Sequence, residues 1–448
     1  MATPDLLKDT IRPTLLRMTL PMMVGIVSLM LFNLADIYFV SLLGTAPMAA
    51  LAFTFPVTFS VVSLAIGFGI GTSATLARLI GQGQQEKAAE LATDNLMMTL
   101  IVVLCISLVA QLFMAPLFTV MGATAKQLPY ILDYMGVWWF GAVFVVTNMV
   151  ANSALRARGD TKTPALVMGG ASALNLILDP LFIFGWGPVP AFGIKGAAMA
   201  SVISWTCVFV IVIYVLYRRY RLIVLMKPVI GRILGHWLKV MKIGLPAALS
   251  NMMTPLAGGV LTAMVAQHGA EAVAAFGVGN RLESLSLLVC LALSMTLPPF
   301  VSQNFGAGQI QRVISAYQGA IKFALVWQFL VFLMLLLFQD AIAELFAASE
   351  LIKGPLIMWL GIVPLGFGMQ AVIFLSASTL NALHQPLRAM RISILRLFVF
   401  FIPMSWIANE LWGLQAMFVA FVLANTAASW IAYRSVSRLL MAKSAVHQ

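Results

Sequence analysis

Long apolar stretches separated by short polar or glycine-containing connections dominate this chain, and twelve of them reach the length of a membrane helix. Their approximate limits are 13–43, 47–76, 92–120, 129–155, 163–186, 192–217, 236–267, 271–302, 314–339, 351–382, 387–409 and 412–438. A hydrocarbon core about 30 Å thick is crossed by roughly 20 apolar helical residues. The pattern therefore predicts an all-α polytopic membrane protein with twelve transmembrane helices.

Composition strengthens this assignment, since 61% of the 448 residues are hydrophobic and 9% charged, with mean hydropathy +0.98, far from a soluble domain. The even-numbered connections and both termini hold nearly all the Lys and Arg. Arg218, Arg219, Arg221, Lys227 and Arg232 lie between segments six and seven, whereas the odd-numbered connections carry Lys126, Lys353 and little else basic. Asp340, Glu344 and Glu350 cluster in one of the latter. By the positive-inside rule both termini are cytoplasmic, and a bacterial inner (plasma) membrane is the expected location. The formal charge of +12 reads as topology and contact with anionic lipid headgroups; a nucleic-acid partner would need a basic folded domain. The N-terminal run continues past any cleavage site and is expected to be an uncleaved first helix. Cys105, Cys207 and Cys290 stand singly and the four His are scattered, so no disulfide framework, metal site or cofactor is expected.

Set against itself at an offset of 225, the chain aligns Leu20-Pro21 with Leu245-Pro246, Gly44 with Gly269, and Ala49-Ala50 with Ala274-Ala275. Gly81, Gly83 and Gln84 meet Gly306, Gly308 and Gln309, and Leu155 and Ala157 meet Leu380 and Ala382. The offset falls to 220 at Gly193 and Gly413. The prediction is two six-helix bundles, 1–217 and 236–448, joined by a basic cytoplasmic linker, 218–235, that serves as a tether. Six is even, so the repeats are parallel, as in transporters that alternate access by rocking two halves.

Of the fifteen acidic residues, Asp36, Asp179 and Glu283 fall well inside spans. A carboxylate at membrane depth costs about 2.5 to 3.5 kcal/mol on insertion scales and is functional by default. Asp36 and Asp179 are each about seven residues, or roughly 10 Å, from the outer end of their helix. Asn175 is one turn from Asp179, Ser201 enters the layer on the sixth helix, and Asn33 is one turn from Asp36. Burial and a neighbouring carboxylate both disfavour charge, while Asn and Ser tolerate either protonation state, so Asp36, Asn175, Asp179 and Ser201 form a candidate protonatable network. A structural cluster joining helices one, five and six is the alternative. Pro21 and Pro180 are candidate bends near it. Asn33, Tyr38, Asn148 and Asn152 are candidates for a substrate path, with interhelical bonding as the alternative for the last two. Glu283 is expected to pair with Arg281 and fix the second bundle.

Gly67-Phe68-Gly69-Ile70-Gly71 imitates a nucleotide fingerprint but lies inside a membrane helix, where close packing explains it better. No phosphate-binding Gly-Lys-Ser or Gly-Lys-Thr is present, so ATP is not the direct driver. A membrane transferase would need clustered carboxylates for magnesium, and a receptor would need an added soluble domain.

The chain resembles the multidrug and toxic compound extrusion (MATE) family over nearly its whole length. Leu20-Pro21 with Asp36, the run from Leu155 through Arg156, Ala157, Arg158, Gly159 and Asp160 to Thr161, Asn175 with Asp179, and the run from Val301 to Gly308 carry the likeness. The resemblance implies two bundles around a V-shaped cleft and cation-driven export of organic, often cationic, compounds by a functional monomer. Within the family the chain is similar to the DinF-like subfamily, which implies cation coupling at Asp36, Asn175 and Asp179. It departs from the NorM-like subfamily, whose tenth helix is acidic. The expectation is a multidrug efflux antiporter using protons, not an enzyme. The alternatives are sodium held at Asp36 and Asp179, or a lipid-precursor flippase of the same fold.

Overall fold

The computed structural model describes residues 4–224, 229–347 and 349–446, so Lys227 of the expected tether lies outside the described residues. Six helices trace the first repeat: α1 (Ile11–Ser41), α2 (Thr45–Gly81), α3 (Gln85–Val120), α4 (Leu128–Ala157), α5 (Lys162–Phe184) and α6 (Ile194–Arg218). The second repeat opens with α7 (Ile230–Ala266). Its second pass is broken at Leu287 into α8 (Ala270–Ser286) and α9 (Leu288–Gly306). After α10 (Ile310–Leu337), the short α11 (Gln339–Phe346) carries Asp340 and Glu344 outside the spans. The next pass combines α12 (Glu350–Ile362), a tight 3₁₀ turn over Val363–Gly366 and α13 (Phe367–Ala382). Pro364 supplies no backbone N–H at that turn. Then come α14 (Pro386–Ile394), a π-wound stretch Leu395–Phe401, and α15 (Ile402–Val446). Gly413, with φ 78, folds α15 into two helices. Eleven described segments are long and apolar enough to cross a membrane, the last of 60 residues. Divided at Gly413, that last segment supplies two passes, giving twelve.

Backbone geometry repeats at the spacing seen in the sequence. Left-handed φ values recur at Gly44 and Gly269 (107, 101), Gly83 and Gly308 (75, 74), and Gly193 and Gly413 (57, 78). Gly159 at φ 82 is matched 225 residues later by His384 at φ 59. A side chain there is uncommon, so the second repeat keeps a turn that its own residue disfavours. Two copies of one backbone plan explain why.

Tertiary contacts divide the chain into one unit containing Leu20–Ala248 and another containing Asp5–Thr19 with Leu249–Gln448. Each repeat's first helix therefore lends its opening turns to the other unit. In the first unit the start of α7 packs on α2. A Cβ added to Gly67 would approach the Gly244 carbonyl oxygen to 2.3 Å, and one on Gly71 the Val240 oxygen to 2.4 Å. The glycine run is a backbone-to-backbone seam, as its position in a membrane helix implies. Asp94 on α3 closes the same region, accepting bonds from Arg232 Nε at 2.9 Å and Nη2 at 3.3 Å and lying 2.8 Å from His236 Nδ1. The segment entering the linker is also docked: the Val224 amide donates to Thr93 Oγ1 at 3.0 Å and Leu222 is fully buried.

In the second unit the core gathers Phe300, Tyr317, Ala371, Leu375 and Ala428. Residues 5–19 are held there by Arg312, whose Nη2 donates to the Asp9 oxygen at 2.7 Å and the Leu6 oxygen at 3.2 Å. Asn304 Nδ2 donates to the Leu6 oxygen at 3.0 Å, and Thr19 lies 2.9 Å from Thr296, hydroxyl to hydroxyl. The Val301–Gly308 run thus earns its pattern partly by gripping the start of the chain.

Candidate functional site

The turn between α4 and α5 fixes where the site residues point. Gly159 takes the left-handed conformation, and Asp160 then caps α5: Oδ1 accepts from the Lys162 and Thr163 amides at 3.0 Å each. Its Oδ2 accepts from Thr163 Oγ1 and from the Tyr220 hydroxyl, both at 2.6 Å. Such caps satisfy amides that the first helical turn leaves unpaired. Burial first, and then the Asp160 bond, push the Tyr220 phenol above its usual range, so it remains a donor.

From that anchor α5 runs between two close neighbours. A Cβ on Gly196 of α6 would meet the Phe182 oxygen at 2.3 Å, and one on Gly25 of α1 would meet Ala165 Cα at 3.2 Å. Small residues thus bring α1 and α6 against α5. Asn175 and Asp179, one turn apart, are fully enclosed. Asn175 Nδ2 donates to Asp179 Oδ1 at 3.1 Å and to Ser201 Oγ at 3.4 Å. Asp36 stands within electrostatic reach of Asp179, and both act on Tyr134 of α4. Asp36 Oδ1, Asp179 Oδ2 and Asn175 Oδ1 are buried and accept no hydrogen bond among the described residues. A buried acceptor without a donor costs about 1–3 kcal/mol. Two carboxylates, one amide and one hydroxyl with unused acceptor capacity are suited to taking up a proton or a small oxygen-seeking cation. Among the described residues no group of three or more His, Cys, Asp or Glu is gathered, so a cation here would rely on the amide and hydroxyl oxygens.

The other candidates lie apart from this group. Asn33 is exposed and returns its amide to the Leu29 oxygen at 3.0 Å, and Tyr38 is exposed. Asn148 is buried and donates to the Trp205 oxygen at 2.8 Å, tying α4 to α6; Asn152 is buried with its Oδ1 unpartnered. Pro21 and Pro180 sit inside helices that continue through them.

Tyr134 was not legible as a member, because nothing in its spacing distinguishes it from packing aromatics. In the second unit Glu283 does not pair with Arg281. Its Oε1 accepts from Gln370 Nε2 at 2.8 Å, and Arg396 acts on it electrostatically. Gln370 comes from α13, which the broken eighth pass brings alongside. Arg396 is buried in the π-wound stretch, donates through Nε to Asn425 Oδ1 at 3.0 Å, and faces the Phe374 and Phe401 rings at 5.6 and 5.8 Å. Its signal was available, a lone cation inside an apolar run, the same rule that singles out Asp36.

The MatE family profile matches residues 21–181 and again 246–407, reproducing the offset of the internal repeat. The chain is 40% identical to a FAD transporter of Shewanella oneidensis over 94% of its length and 93% of that protein. It is 25% identical to the multidrug export protein MepA of Staphylococcus aureus, covering 94% of this chain and 92% of that one. The crystal structure of the Vibrio cholerae MATE transporter VcmN in the bent form superposes with TM-score 0.92 at 33% identity, covering 97% of this chain and 98% of that one. Twelve membrane passes in two repeats, a profile that matches each repeat, and transporter relatives along the whole chain together place this protein in the MatE family of multidrug efflux transporters.

Proposed function

We propose that this multi-pass transporter is a secondary antiporter that exports amphipathic or cationic organic compounds in exchange for protons. The observation that carries the reading is the buried cluster of Asn175, Asp179 and Ser201 with half-buried Asp36 beside it, and an unused acceptor on each carboxylate. Proton uptake removes the charge that burial penalises and supplies the missing donor in one event. One proton crossing 100 mV yields about 2.3 kcal/mol, roughly a fifty-fold substrate gradient, so a single network suffices. The same reading places both termini in the cytoplasm of a bacterial inner membrane and takes one chain as the working unit.

A second reading of the substrate has its own support. Arg396, buried between two phenylalanine rings, is suited to a flat anionic compound, and the relative at 40% identity is named a FAD transporter. Proteoliposomes with independently imposed pH and sodium gradients, loaded with FAD or with an organic cation, test both readings. Export driven by the pH gradient alone supports proton coupling, and export driven only by sodium overturns it. FAD export that falls on Arg396→Gln while cation export is unchanged would support the anionic substrate.

A further inference from the structure

We infer that a groove of four arginines between α14 and the end of α15 is a binding site for an anionic phospholipid carrying two phosphates. The groove, of about 640 Å³, is lined by Arg388, Arg391, Arg434 and Arg438 together with Ser435 and Trp430. All four arginines are exposed, no acidic side chain lines the groove, and none of the four forms an ion pair among the described residues. Four like charges left together without counter-ions repel one another, and within the groove only the Trp430 ring facing Arg434 offsets that cost. A ligand with at least two negative charges would.

Its arrangement narrows the ligand. Arg388 and Arg391 are three residues apart on α14, and Arg434 and Arg438 four apart on α15, so each helix presents one pair on one face. Two pairs on opposite walls match two phosphates, and guanidinium is the side chain best shaped to hold phosphate oxygens in pairs. Arg434 is already placed, its guanidinium 3.7 Å from the centre of the Trp430 ring. Ile392, Leu395 and Ile431 complete the lining with apolar surface, which a free inorganic anion would not use.

Depth points to lipid as the source. From the break at Gly413, Trp430 is 17 residues along the helix, or about 25 Å, and Arg434 lies one further turn on. That puts the tryptophan at the edge of the hydrocarbon layer and the arginines at headgroup level. Basic pockets between membrane helices at this level are suited to lipid headgroups. The inference needs only that α14 and α15 cross the bilayer, and stands whatever ion drives transport.

The test is native mass spectrometry of the full-length chain, delipidated and then offered diphosphatidylglycerol, phosphatidylglycerol, phosphatidylcholine or inorganic phosphate. Diphosphatidylglycerol should be retained in preference to the others. Arg391→Gln with Arg434→Gln should weaken that retention about tenfold or more, with roughly one unit of charge attraction lost per arginine. Arg218→Gln with Arg219→Gln removes the same charge elsewhere and should leave retention unchanged. Melting in phosphatidylcholine should be lowered little and alike by the two pairs, because all four positions are exposed and each pair loses an arginine–ring contact, Arg434 with Trp430 or Arg219 with Tyr220. Equal loss in the two double variants, or no loss in the first, would overturn the site. Competition by inorganic phosphate at concentrations equal to the lipid would overturn the lipid assignment, and phosphatidylglycerol binding as tightly would overturn the two-phosphate assignment.

Discussion

Asn175 occupies the pivotal chemical position in the enclosed group, since one amide nitrogen serves both Asp179 and Ser201. Asn175→Ala should therefore lower the thermal midpoint more than Ser201→Ala, because it strips the donor from a fully enclosed carboxylate, a loss of about 1–3 kcal/mol. Equal midpoints for the two variants would argue against that division of labour. For transport, Asp36→Asn and Asp179→Asn should each abolish gradient-driven export in vesicles while preserving expression and membrane insertion. Loss of folding instead would assign the carboxylates a structural role. Glu283→Gln should retain much of the activity, since Gln370 can bond the amide as it does the carboxylate; full inactivation of the folded variant would move coupling into the second unit. Asp36, Asn175, Asp179 and Ser201 were legible from depth and helical spacing alone. Tyr134 and Arg396 were not singled out, the first because an aromatic in a membrane helix carries no positional signal. Arg396, a cation inside an apolar run, does carry the membrane-depth signal that marks Asp36.

At the scale of elements, the α4–α5 turn links a sequence motif to the site by way of a helix cap. Asp160→Ala removes four acceptor contacts and should cost about 0.5–2 kcal/mol, read as a lower melting temperature in detergent. Tyr220→Phe removes one of the four and should cost less. Because folding raises the Tyr220 pKa, its contribution is complete below the unfolded value near 10 and is lost as pH rises from there through the folded one. The melting difference between wild type and Tyr220→Phe should thus be constant from pH 7 to 9; a difference that shrinks across that range would contradict the contact. On the α2–α7 seam, Gly71→Leu should cut the folded yield, since a Cβ alone meets the Val240 oxygen at 2.4 Å. The helices, their repeat and this seam could all be read from apolar run length and glycine spacing. The docking of residues 220–224 could not, because a basic, polar stretch looks the same tethered or bound. Likewise the break at Leu287 and the π-wound turn at 395–401 leave hydrophobic periodicity nearly intact, so run length reads through them.

At the scale of the whole molecule, two helices each pass from one unit to the other along their length. Helix α1 passes from one unit to the other between Thr19 and Leu20, and α7 between Ala248 and Leu249. Each crossing lies within a few residues of a proline at the same register of its repeat, Pro21 and Pro246, where the ladder loses a hydrogen bond. The outer part of α1, which carries Asp36, belongs to the same unit as α5. Its response to protonation can therefore be measured inside one unit, free of any displacement of the other. If neutralising Asp36 releases it from its neighbours, the outer half of α1 should exchange between two packings, with Pro21 as the pivot. A proton shifts that balance only by its differential affinity, and one pKa unit between the two states is worth about 1.4 kcal/mol. The shift should be graded and titratable. Spin-label distances between the outer half of α1 and a fixed position on α5 should then show two populations whose ratio changes with pH. In Asp36→Asn the ratio should sit at the low-pH value throughout, and in Pro21→Ala the second population should shrink. Distances that ignore pH, or that titrate unchanged in Asp36→Asn, would remove this coupling mechanism and leave the family membership intact.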